Sequence, residues 1–156
     1  MAERIRVVKA VLDVQIFLRS LIRKGNVSDK ILNHWKADVF LLVMSGKIID
    51  EIDDVLKRPW LMEKYGYDLE EVDTLIKLLY QKAIIVEPAF SLLKSRDPND
   101  NKFVDCAILG RVNYLVSEDH DLVGDQLLKK QLFEYGVEVV NASEFYQKLE
   151  ATMKTT

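Results

Sequence analysis

The stretch RVVKAVL at residues 6–12 is almost continuously apolar and β-branched, a pattern that suits a strand buried on both faces. Such a strand belongs in the middle of a parallel sheet that carries helices on each side. Residues 40–44, 84–86, 114–116 and 137–140 are further short apolar runs, separated by segments of helix length. Strands alternating with helices imply right-handed crossovers. The expected fold is α/β, a three-layer α/β/α sandwich with a central, mainly parallel sheet of about five strands. Residues 6–12 supply its central strand.

The helices are read by period. In residues 68–82, Leu69, Val72, Leu75, Ile76 and Leu79 share one stripe, and Glu70, Glu71 and Lys77 lie opposite. Asn141 and Glu144 have the spacing of a cap and its third helical residue, which starts a closing helix at about 142. Arg58-Pro59 ends the preceding helix, because proline disfavours the α conformation one residue earlier. Residues 60–67 then form a short helical excursion. Residues 1–156 read as a single domain with a helical arm near 58–67 and no internal repeat or linker. Trp60, Leu61, Met62, Tyr65 and Tyr67 cluster in a segment too short for its own core, which predicts self-association, most simply a homodimer.

Composition restricts the setting. The one cysteine, Cys106, has no internal partner and no charged leader with an apolar core precedes the first strand, so the expected compartment is the cytoplasm. No apolar run approaches the roughly 20 residues needed to cross a bilayer, so no membrane association is expected. A formal net charge of −3 argues against nucleic-acid binding through bulk positive charge. Any such role needs a local explanation.

That explanation is offered by the placement of the acids. Asp13 directly follows the first strand, Asp119 follows the strand at 114–116 by three residues, and Asp121 lies two further on. Carboxyl ends of parallel strands are where α/β sheets place their sites. Glu51 lies in the second turn of the helix that begins near Ser45, on the flank of the stripe Ile48, Ile49, Ile52, Val55 and Leu56, from which it can reach the same cleft. The turn-rich block Asp97-Pro98-Asn99-Asp100-Asn101 leads into a helix at 102–111, on which Asn101 and Asp105 share a face beside Phe103, Val104, Ala107 and Ile108. Four segments thus bring Asp13, Glu51, Asp100 or Asp105, and Asp119 together. Carboxylates packed closely need a compensating cation, and hard oxygen ligands select Mg²⁺ or Mn²⁺. Ions so held activate water and stabilise a departing phosphate oxygen, so no histidine base is required.

Each acid alone also reads as a turn or cap residue, Asp97 and Asn99 most readily. His34 reads as a helix residue that is packed or exposed, and Cys106 as core. His120 stands between two candidate acids.

The order of these motifs resembles the PIN domain, and in particular its branch of toxin components of toxin–antitoxin pairs. The resemblance spans roughly residues 6–149. It is carried by VVKAVLDVQIFLRS (7–20), SGKIIDEIDDVLKRP (45–59), RDPNDNKFVDCAI (96–108) and NYLVSEDHDLV (113–123). It implies a metal-dependent endoribonuclease acting on single-stranded RNA, with an antitoxin protein as partner and a dimeric state. Carried over by motif, Asp13, Glu51 and Asp119 become metal ligands with a further acid from the third block, Asp121 a second acid, and Ser117 a supporting hydroxyl. Gln15 stands where the family usually has asparagine, a longer amide in a supporting position. Asn101 stands where many relatives carry the third aspartate, which leaves Asp100 or Asp105 to provide that charge. Two rival readings remain: a catalytically impaired PIN-like module that binds RNA or protein, and a metal-dependent phosphatase. The second requires an acid two residues after Asp13, where Gln15 stands.

Overall fold

The computed structural model describes residues 7–154. Five parallel strands form one sheet in the order β3-β2-β1-β4-β5, with β1 at Lys9–Leu12, β2 at Leu41–Met44, β3 at Ile84–Ile85, β4 at Tyr114–Val116 and β5 at Glu138–Val140. The protein is a three-layer α/β/α sandwich, and β1 is its central strand. Ala10, Val11 and Leu12 are fully buried. The strand is shorter than its apolar run, since Val7 is exposed and Arg6 lies outside the described residues. The β3 strand is shorter still, and at the sheet edge it leaves Ile84 and Ile85 exposed.

Between β1 and β2 run α1 (Val14–Ile22) and α2 (Val27–Lys36); between β2 and β3 run α3 (Gly46–Leu56), α4 (Pro59–Tyr65) and α5 (Leu69–Lys82). The chain then crosses to the other half of the sheet through α6 (Asn101–Leu109), which packs on β1, β2 and β4. It continues with α7 (His120–Val123), α8 (Gln126–Glu134) and the closing α9 (Ala142–Lys154). The direction of strand addition therefore reverses between β1 and β4, and the crevice at their carboxyl ends is the switch point where open α/β sheets bind ligands.

Local chemistry sets the boundaries. Asp13, Asn26, Ser45, Asp68 and Asp125 each place a side-chain oxygen on a backbone N–H of the first turn of the helix that follows. Asn141 and Glu144 exchange the two hydrogen bonds of a capping box. The arm is α4, with proline in its first turn and Gly66 closing it at φ 74°. Here the expectation of an arm without a core is corrected. Leu61 and Tyr67 are buried in the protein's own core, and the Tyr67 hydroxyl donates to the Leu56 carbonyl at 2.8 Å. Of the five apolar and aromatic residues, Trp60 alone is exposed.

The α6 helix ends at Leu109, two residues before the expected stop at 111, with Gly110 as its C-cap. A Cβ there would lie 2.6 Å from Cγ1 of Val43 on β2 and 2.9 Å from the Cys106 carbonyl. Gly110 has ordinary helical φ, so conformational preference alone would favour alanine. Contact decides the opposite sign: Gly110→Ala is expected to lower stability by about 1–3 kcal/mol, through overpacking of α6 on the sheet. A fall in the urea midpoint at unchanged m-value would show it, and an unchanged or raised midpoint would contradict it.

Candidate metal centre

The crevice at the switch point is built from three segments. Asp13 follows β1 and is buried. Its Oδ2 accepts from the Ser117 hydroxyl at 2.7 Å and from the Glu118 N–H at 3.0 Å, and its Oδ1 accepts from the Ile16 N–H at 3.3 Å. Ser117, buried at the end of β4, also accepts from the Asp119 N–H at 3.0 Å. Asp119 caps α7 by accepting from the Asp121 N–H at 2.8 Å. The third segment is a 3-10 turn at Pro98–Asp100 that delivers Asp97 and Asp100.

One carboxylate oxygen each from Asp97, Asp100 and Asp119 lie within 4.8 Å of one another. Asp100 is buried, and its Oδ2 has no hydrogen-bond donor among the described residues. It faces the Asp119 carboxylate, and two acceptors at such range are reconciled only by a shared proton or a bound cation. Burial first, then Asp119, then the charges of Asp97 and Asp13, push the Asp100 carboxyl up to about 7. Asp13 is pushed up to about 6, chiefly by burial, with the charge of Glu118 adding to the rise; bonds from Ser117, Glu118 and Ile16 act the other way.

The other expected residues fall in different places. Glu51 stands outside the trio, bound by Lys102 Nζ at 2.9 Å. Asp105 also stands apart, with Oδ2 accepting from the Ser91 hydroxyl at 2.7 Å. Of the two acids left open by the sequence, Asp100 lies with Asp97 and Asp119 and Asp105 does not. Asp121 is exposed and meets Asp119 through its backbone. Gln15 is exposed on the first turn of α1, and Ser45 caps α3 by accepting from the Ile48 N–H at 3.3 Å. Asn101 acts as a clasp: its Oδ1 accepts from the Ser95 N–H at 2.9 Å and from the Ser95 hydroxyl at 3.1 Å, which folds the segment bearing Asp97 back toward Asp100. His34 pairs with Glu150 at 3.0 Å and stacks on Tyr146, between α2 and α9. His120 is exposed.

Asp97 and Lys102 are the residues that sequence reasoning missed. Asp97 does cap the 3-10 turn, accepting from the Asn99 N–H at 3.0 Å, and it also contributes a carboxylate oxygen to the trio. Two acids three apart around a Pro-Asn turn were the available signal. The donor set suits a hard divalent cation: it is all oxygen, carries more negative charge than the surroundings compensate, and includes one buried oxygen with no partner.

The model of the PIN domain family matches residues 9–121, from the first residue of β1 to the first turn of α7. An uncharacterized protein of Methanocaldococcus jannaschii is 23% identical over 150 residues, which cover 95% of this chain and 95% of that protein.

The two raised carboxyl groups make metal-free stability depend on pH. A carboxylic acid whose folded pKa exceeds its unfolded value of 3.8 favours the folded state fully below 3.8, and that advantage is lost as pH rises through about 6 and about 7. In EDTA the protein is therefore expected to melt higher near pH 5 than near pH 8. Asp100→Asn offers an N–H to Asp119, and at pH 8 should raise the melting temperature by roughly 2–8 °C, from about 1–2 kcal/mol of relieved repulsion. Asp13→Asn presents an amide donor to groups that already donate, and should lower it by a similar amount. Thermal melts of the three proteins at both pH values check this; a destabilised Asp100→Asn would mean that its lone oxygen is satisfied in solution.

Proposed function

We infer that this chain, which belongs to the PIN-domain family, is a Mg²⁺- or Mn²⁺-dependent endoribonuclease that hydrolyses single-stranded RNA. The observation that carries this reading is the oxygen trio of Asp97, Asp100 and Asp119 around a buried, partnerless carboxylate oxygen. PIN domains are generally metal-dependent nucleases, and these three side chains would hold the cation. When bound, the cation supplies positive charge for the phosphate and lowers the pKa of a coordinated water.

The chain's own residues do the rest. Asp13 fixes the Ser117–Asp119 segment against the end of β1, so that Asp119 is held in place before the cation arrives. Its charge also acts on Asp100, adding to the pull of that carboxyl on a proton or a cation. Lys102, paired with Glu51, lines a cavity with Pro98 and Asn101 and would meet a phosphate oxygen adjoining the cut. No helix among the described residues is long and apolar enough to cross a membrane. The reading extends to a single cytoplasmic PIN-like domain acting as the toxin of a toxin–antitoxin pair. Dimerisation would then rest on the family precedent and on exposed Trp60.

A labelled single-stranded RNA incubated with Mn²⁺ should be cut internally, and EDTA should abolish the cutting. Asp119→Asn should lower the rate by about a hundredfold or more, as expected for loss of a ligand or its support. Because protons and the cation compete for Asp100, the rate should rise with pH between about 5.5 and 7.5, with a midpoint that falls as Mn²⁺ is raised. Cutting that survives both EDTA and Asp119→Asn would sink the mechanism. RNA binding without cutting at any Mn²⁺ concentration would favour an impaired binding module.

A further inference from the structure

The trio is assembled from two pieces of chain that its own chemistry drives apart. Asp97 and Asp100 belong to the 3-10 turn before α6, and Asp119 stands at the start of α7. Without a cation their carboxylates repel one another, so a restraint between the two pieces decides how close they stay. The Asn101 clasp is not that restraint. Its bonds to Ser95, with the bond from the Ser95 hydroxyl to the Asp97 carbonyl, close residues 95–101 on themselves.

Arg96 lies within that closed segment, and its side chain reaches out of it to the other piece. Its Nη2 donates to the Asp121 carbonyl at 3.3 Å, and its Nε stands 3.7 Å from Oδ2 of Asp125. Both partners follow Asp119 closely. The Asp121 carbonyl belongs to α7, a helix of four residues that cannot satisfy its own last carbonyls, and Asp125 is the N-cap of α8. Asp125 is itself anchored, because its Oδ1 accepts from the Leu128 N–H at 3.1 Å and its side chain is only 14% exposed. Gly124 leaves room for the guanidinium: a Cβ there would lie 3.4 Å from Nη2 and 2.7 Å from the His120 carbonyl. A planar fork can meet a carbonyl and a carboxylate at once, which a single ammonium cannot do as well.

We propose that Arg96 is a positioning residue for the cation, strapping the turn that bears Asp97 and Asp100 to α7 and α8 so that both acids stay opposite Asp119. The proposal rests on the reading of the trio as a metal centre. Its sign sets it apart from a plain effect of charge. A guanidinium next in sequence to a member of the trio opposes a divalent cation, so charge alone predicts that Arg96→Gln tightens Mn²⁺ binding. A strap predicts that it weakens.

Isothermal titration calorimetry with Mn²⁺ on the wild type, Arg96→Gln, Arg96→Lys, Asp125→Asn and the double variant Arg96→Gln/Asp125→Asn tests this. Asparagine caps a helix about as well as aspartate, so Asp125→Asn keeps the α8 cap and removes the charge. Arg96→Gln should raise the Kd for Mn²⁺ by about fivefold, the upper end of what an exposed ion pair supplies. Arg96→Lys should fall between it and the wild type. The double variant should bind about as well as Arg96→Gln alone, because the two changes break one link. In EDTA, Arg96→Gln should melt within about 3 °C of the wild type, and Mn²⁺ should raise its melting temperature less. The Mn²⁺ concentration for half-maximal cutting of a labelled RNA should rise by the same factor as the Kd. Mn²⁺ binding that is unchanged or tighter in Arg96→Gln, additive losses in the double variant, or an equal drop in melting temperature with and without Mn²⁺ would overturn the strap. Weaker Mn²⁺ binding by Arg96→Gln alongside no cutting by the wild type would leave the strap standing and remove the nuclease reading. Cutting by the wild type with Mn²⁺ affinity indifferent to Arg96 would do the reverse, and a wild type that binds no Mn²⁺ would remove both.

Discussion

The carboxylate of Asp13 stands at the end of β1 and receives the Ser117 hydroxyl and the Glu118 N–H from the segment after β4. These two strands are neighbours at the place where strand order reverses, so the bonds tie the two strand ends together at the crevice. Ser117 passes the constraint on by accepting from the Asp119 N–H. The position of Asp119 is thus fixed by a buried chain of hydrogen bonds that starts from the central strand. A buried charge is costly unless donors surround it, and here three donors do.

The other acids are compensated differently, although the residue types are the same. Glu51 has an ammonium partner in Lys102. Asp105 has a hydroxyl on one oxygen. Asp100 has only other carboxylates in front of its buried oxygen, and its proton affinity is raised accordingly. A buried carboxylate oxygen facing other carboxylates could hold a cation, which a set of caps and turns does not need. A cap is satisfied by the backbone that it caps, as Asp68 is by Glu71.

Much of the arrangement was legible in the sequence because parallel sheets leave few options. Buried strands must be apolar along their whole length, and polar residues directly after them must lie at one edge, which located Asp13, Ser117 and Asp119. The third segment was less legible. Asp100 and Asp105 are both near the start of α6, and helical spacing puts Asp105 on the face of Asn101. The tighter 3-10 turn at Pro98–Asp100 rotates Asp100 inward and lets Asp97 return beside it. That rotation depends on the Asn101 clasp on Ser95, a contact that no periodicity announces. The arm illustrates the same limit: Trp60 to Tyr67 reads as an apolar surplus until the Tyr67 hydroxyl finds the Leu56 carbonyl and the ring is buried with it.

Under the proposed reading, the acidic character of the protein is an operating condition. With a formal net charge of −3 and several of its acids gathered in one crevice, the metal-free surface repels a polyanion at the place where it would have to react. Lys47 and Lys102 line a cavity with Pro98 and Asn101, but Glu87 and Asp105 line it too and Lys102 is already engaged by Glu51. Affinity for RNA then depends on the cation, and linkage requires the converse: RNA must raise the affinity for the cation by the same factor. A trio that is strained when empty and relaxed when filled gives this coupling its sign, because the repulsion removed by the cation is the same repulsion that opposes the phosphate. Bulk basicity would bind any nucleic acid at any time. A local anionic trap binds it only when charged with metal.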